Sequence, residues 1–249
     1  MAMDRLENLK NIIMYLMADN RVSHRIPSTL EERQRMMRAL MNVWAPRPIS
    51  EDFLKMQDAE LQMQCEDKGA VEISDITPQT SDILLWQGDI TRLKVDAIVN
   101  AANAQALGCW APLHNCIDNC IHSAAGIQLR KACNDTMQGR LLATGNAFIT
   151  KGYNLPAKHV THTVGPIIPD GIPTKEQEEQ LAACYRSCLD LAEKNGLESI
   201  AFCCISTGVF HFPNQRAAEI AFETVKSYHR HSLKTIVFNV FLDKDRDIY

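Results

Sequence analysis

The sequence lacks an excess of positive charge. Its 249 residues contain 26 Lys and Arg against 30 Asp and Glu, so the formal net charge is −4. Proteins that bind nucleic acids or anionic membranes through a broad basic surface have the opposite balance. We therefore expect no nucleic-acid partner and no membrane partner, and any phosphate group must be recognised by a local site.

Long apolar runs are also missing. No stretch approaches the roughly 20 apolar residues of a membrane-spanning helix. The N-terminus is charged and amphipathic and lacks the apolar region of a secretory signal peptide. These absences predict a cytoplasmic protein. In a reducing compartment, the nine cysteines are expected to be free or metal-bound thiols and not a disulfide framework.

The first third of the chain is predicted to be helical. Apolar residues recur at helical spacing over residues 4–17. Thr29 and Glu32 form a capping box before a second helix that reaches about Trp44. Ser50 is the expected cap of a third helix. Because the apolar faces of such helices need a partner, we expect this segment to pack on the remainder of the chain.

The composition changes near Lys68. Beyond it, β-rich runs alternate with helical patterns of ten or more residues, which predicts parallel strand pairs with helices between them. We therefore predict a helical N-terminal extension (1–68) and an α/β domain (69–249), built as a three-layer α/β/α sandwich on a mixed, largely parallel sheet. The predicted strands are 83–86, 97–99, 147–150, 159–164, 200–205 and 236–241, and the predicted helices are 117–133, 175–194 and 214–229.

The stretch from Val99 to Asp118 carries the strongest chemical signal. It joins a predicted strand end to a predicted helix start, which is where open α/β sheets bind ligands. It also holds Cys109, His114 and Cys116 in the order C-x4-H-x-C. Three soft or borderline ligands without an obvious fourth are typical of a catalytic zinc.

Two alternatives are open on the spacing alone. Cys120 or His122 could supply a fourth ligand and close the site, which would remove its chemistry. The three residues could also be a small buried cysteine pair and a surface histidine that bind no metal.

Four segments of the chain closely resemble the signature segments of macrodomains, in the same order. They read QGDIT at 87–91, VDAIVNAAN at 95–103, IDNCIHSAAG at 117–126 and STGVFHFP at 206–213. Macrodomains bind ADP-ribose, and some branches hydrolyse it from proteins. The resemblance covers about residues 83–243 and implies the macrodomain fold for this part.

One stretch departs from the pattern of the hydrolytic MacroD-type macrodomains, which carry a run of glycines before the helix. This chain has GCWAPLHNC at 108–116 instead. The replacement resembles the zinc-dependent branch of macrodomains, which is also preceded by a helical N-terminal extension. It implies one Zn²⁺ per chain as cofactor, held by Cys109, His114 and Cys116.

The resemblance also assigns residues to the two ends of ADP-ribose. Asp89, followed by Ile90, would accept a hydrogen bond from the exocyclic amine of adenine, although a carboxylate here is also typical of a turn or a helix cap. Asn103 would bind hydroxyls of the distal ribose. Asn100 would hold the loop through the backbone.

A third group of residues would bind the diphosphate. The backbone N–H groups of this loop can converge on an anion without Lys or Arg, and Gly208 lets the chain approach the phosphates. Phe210 would lie beside the distal ribose, although Phe210 and Phe212 could instead be core aromatics. The loop consists of Ser206, Thr207, Gly208, Val209 and Phe210.

Taken together, these residues lead us to expect a zinc-dependent hydrolase that removes mono-ADP-ribose from protein side chains, with Asp or Glu esters as the favoured linkage. Asn103 and Asp118 are the candidate catalytic residues. Asp118 would orient the ribose or transfer a proton to or from water, and the alternative is a simple helix cap. By analogy with the branch, the protein partner could be a lipoyl-carrier protein modified by a sirtuin-type transferase.

Other functions are compatible with the same residues. The chain could be an ADP-ribose-binding reader in which the metal only shapes the loop, or a deacetylase of O-acetyl-ADP-ribose. A redox role for Cys109 and Cys116 is a further alternative, although C-x6-C lacks the tight spacing of a C-x-x-C motif.

Overall fold

The computed structural model describes residues 4–78 and 82–249; the domain predictions for residues 1–3 and 79–81 lie outside this part. Three helices come first and are followed by alternating strands and helices. The helices are α1 (Arg5–Asn20), α2 (Leu30–Asn42), α3 (Glu51–Lys68), α4 (Ile117–Ala125), α5 (Ile127–Met137), α6 (Lys175–Lys194), α7 (Asn214–Ser227) and α8 (Asp243–Ile248). The strands are β1 (Val71–Glu72), β2 (Ile83–Gln87), β3 (Leu93–Lys94), β4 (Ala97–Ala101), β5 (Ala147–Lys151), β6 (His159–Thr163), β7 (Ser199–Phe202) and β8 (Thr235–Val240).

Six strands form the main sheet in the order β2-β8-β7-β4-β6-β5. All neighbouring pairs are parallel except β5 and β6, which are antiparallel. Helices lie on both sides of this sheet. The prediction of an α/β/α sandwich with a mixed, largely parallel sheet is therefore confirmed. The short strands β1 and β3, which pair with each other, and helix α8 were not predicted.

The predicted helix 117–133 is wrong in one respect, because the segment forms two helices. Gly126 separates α4 from α5 with φ +99°, a conformation that side-chain-bearing residues rarely adopt. A Cβ at this position would also lie 2.5 Å from Oε1 of Gln128. Gly126 therefore ends α4. The apolar periodicity on both sides of this glycine hid the break when the helix was predicted from the sequence.

The three N-terminal helices have their own apolar core. This core contains the fully buried side chains of Trp44 and Phe53, and it also includes Ile127 of α5. Thr29 and Ser50 cap α2 and α3, as predicted. Helices α2 and α3 pack on α4, so the extension lies against the helix that comes after the Cys/His stretch.

Parallel strands bring their carboxyl ends to one edge of a sheet. Here β2, β4, β6, β7 and β8 share one direction. The segments that follow β2, β4 and β7 contain Asp89, the Cys/His stretch and Ser206–Phe210. The topology therefore gathers the sequence-predicted residues at a single edge. No helix within residues 4–78 and 82–249 combines the length and apolar character that crossing a membrane requires.

Candidate active site

Asp118 lies at the centre of the candidate site, in the first turn of α4. Its side chain is buried, with 5% of the residue exposed. Asn100, at the end of β4, donates from Nδ2 to Oδ1 of Asp118 over 2.8 Å. Asn103 donates from Nδ2 to the other carboxylate oxygen over 3.4 Å. The structure therefore brings the two candidate catalytic residues, Asn103 and Asp118, into contact.

The surroundings of Asp118 change its acidity. Burial raises the pKa of the carboxyl group to about 6, against the opposing effects of the Asn100 hydrogen bond and the positive charge of Arg130. Both forms of the carboxyl group are therefore accessible near neutral pH. A group with that property can accept or release a proton during a reaction.

The Cys109 loop (residues 104–116) connects Asn103 to α4. Cys109 Sγ and His114 Nδ1 are 3.5 Å apart, and these two atoms and Cys116 Sγ all lie within 4.8 Å of one another. Cys109 and Cys116 are half-buried and His114 is exposed. Three residues spread over eight positions thus converge on one point at the edge of the sheet.

This donor set fits a zinc ion. Ligand atoms around a tetrahedral zinc lie about 3.5 Å apart, and thiolate and imidazole are its preferred donors. Burial and the neighbouring Cys109 thiol raise the pKa of Cys116 to about 12. The Cys116 thiol is therefore protonated at neutral pH unless a cation binds beside it.

The two alternative fourth ligands lie elsewhere. Cys120 Sγ is 3.8 Å from an Nη atom of Arg38. His122 is 4% exposed, and its Nε2 lies 3.6 Å from Oδ1 of Asp118. Neither residue belongs to the described group around Cys109. A fourth ligand from Cys120 or His122 is therefore not part of this Cys/His arrangement.

A second Cys/His group lies deeper in the protein and was not singled out from the sequence. It consists of His122, Cys133 and His162, all buried. Both ring nitrogens of His162 already have partners, Asn100 at 3.2 Å and Thr150 at 3.0 Å. Because burial lowers the pKa of His162 to about 3, this ring is neutral. It supports Asn100, and through Asn100 it supports Asp118.

The Ser206 loop (residues 206–213) follows β7. The Phe212 N–H donates to the Ser206 carbonyl over 3.0 Å, and the His211 N–H donates to the Gly208 carbonyl over 3.0 Å. Ser206 and His211 have φ of +66° and +58°, which gives the loop its curvature. The surface of this curve exposes Gly208 and Val209 to solvent.

The two aromatic residues of this loop differ in burial. Phe212 is 1% exposed, so it is a core residue. Phe210 is half-buried, and its carbonyl accepts the N–H of Ile168 over 2.8 Å. The loop that follows β6 is thereby joined to the Ser206 loop. No atom lies within 4 Å of a Cβ built on Gly208, which leaves room for a ligand against the backbone.

Asp89 follows β2. Its Oδ1 caps a short 3₁₀ turn by accepting the N–H and hydroxyl of Thr91 over 3.0 and 2.6 Å, so a capping role is present. Its Oδ2 accepts from Lys68 over 3.1 Å. Burial acts to raise the pKa of Asp89, but these hydrogen bonds and the Lys68 charge lower it overall. Ile90 beside it is 2% exposed.

A cavity of about 500 Å³ opens next to Asp89. It lies between the extension and α4, with Met37 and Leu61 on one side and Ala124 on the other. Helices α2 and α3 therefore form one wall of the cleft at the Asp89 end.

Sequence reasoning missed the side chains that surround the Cys109 loop. Arg38 donates to the His114 carbonyl over 2.8 Å, and Asn42 accepts the Leu113 N–H over 2.9 Å. Arg130 of α5 donates to the Cys109 carbonyl over 3.1 Å. Nothing in the spacing of these residues, 21 to 76 positions from their partners, identifies them in advance.

Known proteins are similar to this chain over most of its length. The model of the macro domain family matches residues 99–221. A protein-ADP-ribose hydrolase of Treponema medium is 50% identical over 248 residues, with 96% of this chain and 95% of that protein covered. A protein of the same name from Staphylococcus aureus (strain MRSA252) is 46% identical, with 99% and 97% covered.

Solved structures share the fold. The Trypanosoma brucei macrodomain in complex with ADP-ribose is 32% identical, with a TM-score of 0.66 and coverage of 84% of this chain and 91% of that one. The Oceanobacillus iheyensis macrodomain with ADP is 38% identical, with a TM-score of 0.61 and coverage of 70% and 91%. With such identity over almost the whole length of its relatives, this chain belongs to the macro domain family.

Proposed function

We propose that this chain is a zinc-dependent protein-ADP-ribose hydrolase that removes mono-ADP-ribose from Asp or Glu side chains of proteins. The observation that carries the proposal is the position of a buried carboxyl group, Asp118, two residues after a candidate zinc ligand, Cys116. Asn100 and Asn103 hold this carboxyl group in place. The relatives named protein-ADP-ribose hydrolase support the same reaction.

The edge of the sheet offers one subsite for each part of ADP-ribose. Oδ2 of Asp89 would accept the adenine amine beside Ile90. Phe241, which follows β8 and is 72% exposed, has a free aromatic surface near Asp89, since Gly88 N–H donates to the Val240 carbonyl over 2.9 Å. An exposed aromatic ring of this kind can stack on a base.

The diphosphate would lie against the backbone of Ser206, Thr207, Gly208 and Val209, beside Phe210. Backbone N–H groups in such a curve attract an anion without a basic side chain, which suits a chain with net negative charge. The distal ribose would then reach Asn103 and Asp118 at the start of α4. In this order, the bond to be broken would lie next to the Cys/His group.

A zinc ion would be held by Cys109 Sγ, His114 Nδ1 and Cys116 Sγ. When bound, it would supply a Lewis acid with an open position for an oxygen atom of water or substrate. Because two of the three ligands are thiolates, the positive charge that the ion presents is weaker than at a three-histidine site. Orientation of the substrate is then as important as activation of water.

The reaction requires one proton acceptor. Water adds through oxygen to the distal ribose carbon, the bond from that carbon to the ester oxygen breaks, and the electron pair leaves with the carboxylate. Since a carboxylate is stable without a proton at neutral pH, no acid is needed on the leaving group. Asp118 takes the proton of the attacking water. Asn103 hydrogen-bonds both the ribose and the carboxyl group of Asp118, and so fixes their relative positions.

The first test compares the zinc content and the release of ADP-ribose for the wild type, Cys116→Ala and a chelated sample. The substrate is a protein mono-ADP-ribosylated on Asp or Glu side chains. Cys188→Ala, which removes a buried thiol of α6 that belongs to neither Cys/His group, is the matched control. We expect one zinc per chain, loss of release by at least about 100-fold in Cys116→Ala and after chelation, and normal release in the control.

Three other outcomes would decide against the proposal. Unchanged release without metal would show that hydrolysis does not depend on zinc. Tight ADP-ribose binding without release from any modified protein would identify a reader, and release of acetate from O-acetyl-ADP-ribose alone would identify a deacetylase. The lipoyl-carrier substrate and its sirtuin-type transferase stay predictions, to be tested by using such a carrier as substrate.

A further inference from the structure

The Cys109 loop has little regular structure of its own. Between Asn103 and α4 the chain forms neither helix nor strand. Two backbone hydrogen bonds close turns within it, Ala106 N–H to the Asn103 carbonyl and His114 N–H to the Ala111 carbonyl. Such a segment does not fix three ligand atoms by itself, because its backbone could adopt many conformations.

The residues around His114 are held from the extension. Asn42, the last residue of α2, accepts the Leu113 N–H through Oδ1 over 2.9 Å. Arg38, one turn earlier on the same helix, donates to the His114 carbonyl over 2.8 Å. Both contacts flank the peptide group that joins Leu113 to His114. They therefore restrain the backbone from which the His114 side chain extends.

The backbone at this point needs such support. Leu113 has φ +60°, the left-handed region, which costs a residue with a side chain about 1–2 kcal/mol. Asn42 is 1% exposed, so its hydrogen bond to Leu113 is shielded from water. Asn42 also donates from Nδ2 to Ser123 Oγ of α4 over 3.0 Å. The helix end is thereby fixed to both the loop and α4.

Arg38 makes a second connection through Asn119 of α4. Its Nη2 donates to Oδ1 of Asn119 over 3.0 Å, and Nδ2 of Asn119 donates to the Ala111 carbonyl over 2.9 Å. The Asn119 N–H donates to Cys116 Sγ over 3.4 Å. Arg38 and Asn119 thus form a chain of hydrogen bonds between the extension, the middle of the loop and the candidate ligand Cys116.

We propose that Arg38 and Asn42 of the N-terminal extension are positioning residues that set the geometry of the zinc ligands in the Cys109 loop. The proposal rests on the zinc site of the proposed function. It gives the extension a role in the reaction in addition to its place beside the cleft. Residues that orient metal ligands typically change metal affinity by about 10- to 100-fold when they are replaced.

The experiment measures zinc affinity by chelator competition and the absorption spectrum of the Co²⁺-substituted protein, which reports ligand geometry. The variants are Arg38→Ala and Asn42→Ala. Arg35→Ala is the matched control, since Arg35 is exposed on the same helix and, unlike Arg38, is not hydrogen-bonded to the His114 carbonyl or to Asn119. Ser123→Ala is a second control. It removes the hydrogen bonds of Ser123 to Asn42 and Asn119, and it leaves the bond of Asn42 to Leu113 and the bond of Arg38 to Asn119 in place.

We expect a 10- to 100-fold loss of zinc affinity in Arg38→Ala and in Asn42→Ala, with altered Co²⁺ bands. Both controls should keep the wild-type affinity and spectrum. Asn42→Asp, which keeps an oxygen acceptor for the Leu113 N–H, should recover most of the affinity. Arg38→Lys keeps the charge with one donor group in place of several, so its affinity should lie between those of the wild type and Arg38→Ala.

Two results would overturn the proposal, and they are distinguishable. If Arg38→Ala and Asn42→Ala lower the melting temperature of the metal-free protein but leave zinc affinity and the Co²⁺ spectrum unchanged, the contacts are packing contacts only, and the zinc hydrolase proposal stands. If the wild type binds no zinc, both proposals fail together. Should either alanine variant not fold, Arg38→Lys and Asn42→Asp against Ser123→Ala decide the same question.

Discussion

Two loops at the same edge of the sheet are built in opposite ways. The Ser206 loop follows β7 and is shaped by hydrogen bonds of its own backbone and by one neighbouring loop. The Cys109 loop follows β4, and side chains of α2, α4 and α5 hold it. The first loop is a local structure, whereas the second depends on residues distant in the sequence.

The difference matches what each loop would have to do. Binding a diphosphate needs several N–H groups on one curved stretch of backbone, and a short segment can provide this. Holding a metal needs three side chains at fixed distances, and orientation from a surrounding layer of side chains is the usual solution. The comparison predicts that the Ser206 loop fails through changes within it or in the neighbouring loop after β6, and that the Cys109 loop also fails through changes in helices distant in the sequence.

The largest effect is expected just after the Cys109 loop, at Asp118. In Asp118→Asn the carboxyl group that takes the proton is lost, while the shape of the side chain is kept. We expect kcat for release of ADP-ribose to fall by about 10²- to 10⁴-fold. ADP-ribose affinity, measured by titration calorimetry, should change by less than about threefold, since Asp118 acts on the bond and not on the diphosphate.

Asp135→Asn on the exposed end of α5 is the matched control for this prediction, because it removes a carboxylate that makes a surface ion pair with Lys131. Its kcat should equal that of the wild type. Equal loss of affinity and of kcat in Asp118→Asn would instead show that Asp118 is needed to bind the ligand, and the proton-transfer role would be wrong.

A second prediction breaks the Cys109 loop from outside. Arg130 is 3% exposed, donates to the carbonyls of Asn42, Trp44 and Cys109 over 2.7, 2.9 and 3.1 Å, and stacks over Trp110. Arg130→Met would leave these buried carbonyls without their donor. We expect a loss of about 3 kcal/mol in the free energy of unfolding and weaker zinc binding.

Urea unfolding checks the stability part of this prediction. Lys131→Met, next to Arg130 on the same helix, removes only an exposed i,i+4 ion pair and should cost less than about 0.5 kcal/mol. Equal unfolding midpoints for the two variants would mean that the carbonyls find other donors and that Arg130 does not hold the loop.

The same contrast explains how far the sequence predicts the molecule. Helix α6 was predicted with its observed bounds, Lys175–Lys194, because its periodicity is local and continuous. The order of the six main strands along the chain was also predicted. The predicted helix over 117–133 missed its break at Gly126, where a local glycine signal lies inside an apolar pattern.

The candidate site shows the same limit. The Cys/His group and the contact of Asn103 with Asp118 could be expected, because their residues lie close together in the sequence on a loop between a strand and a helix. Arg38 and Asn42 could not, since they lie 76 and 71 positions from their partners in the loop. Their positions depend on how the extension packs on α4, which a single sequence does not specify.

A third prediction breaks the Ser206 loop from within. A Cβ on Gly208 would meet no atom within 4 Å, so Gly208→Val should leave the melting temperature of the ligand-free protein unchanged. If the diphosphate lies against this backbone, the added side chain blocks it. We expect ADP-ribose affinity to fall by about 10- to 100-fold, or about 1.4–2.7 kcal/mol.

Gly165→Ala is the opposite case. Its Cβ would lie 2.0 Å from Ser206 Oγ, so this variant should lower the melting temperature. Calorimetric titration measures the ADP-ribose affinity of both variants, and thermal melting measures their stability. The two measurements together separate a loss of binding from a loss of stability. Unchanged ADP-ribose affinity in Gly208→Val would show that the Ser206 loop does not bind the diphosphate. The comparison of the two loops as binding elements would then be wrong for the Ser206 loop.

The smallest effect is expected at a residue far from both loops. A change there tests whether a loss of stability alone alters the geometry of the site. Glu193, near the end of α6, accepts the N–H groups of His231, Ser232 and Leu233 over 2.9, 2.8 and 3.2 Å, before β8 begins. Burial acts to raise its pKa, but these hydrogen bonds outweigh burial and lower the pKa from 4.5 to about 2.

Because the pKa is lower in the folded state, the charged form of Glu193 stabilises the protein above pH 4.5, and this contribution is lost as the pH falls toward 2. Glu193→Gln should therefore cost on the order of 1 kcal/mol at about pH 7 after solvent screening, and the difference from the wild type should shrink between pH 4.5 and 2. Urea unfolding at a series of pH values measures this difference in the free energy of unfolding.

Zinc and ADP-ribose affinities should stay unchanged in Glu193→Gln, because β8 begins at the opposite edge of the sheet from both loops. A loss of zinc affinity in Glu193→Gln would mean that the Cys109 loop responds to any loss of stability, and the weaker zinc binding of Arg130→Met could then no longer be assigned to the contacts of Arg130.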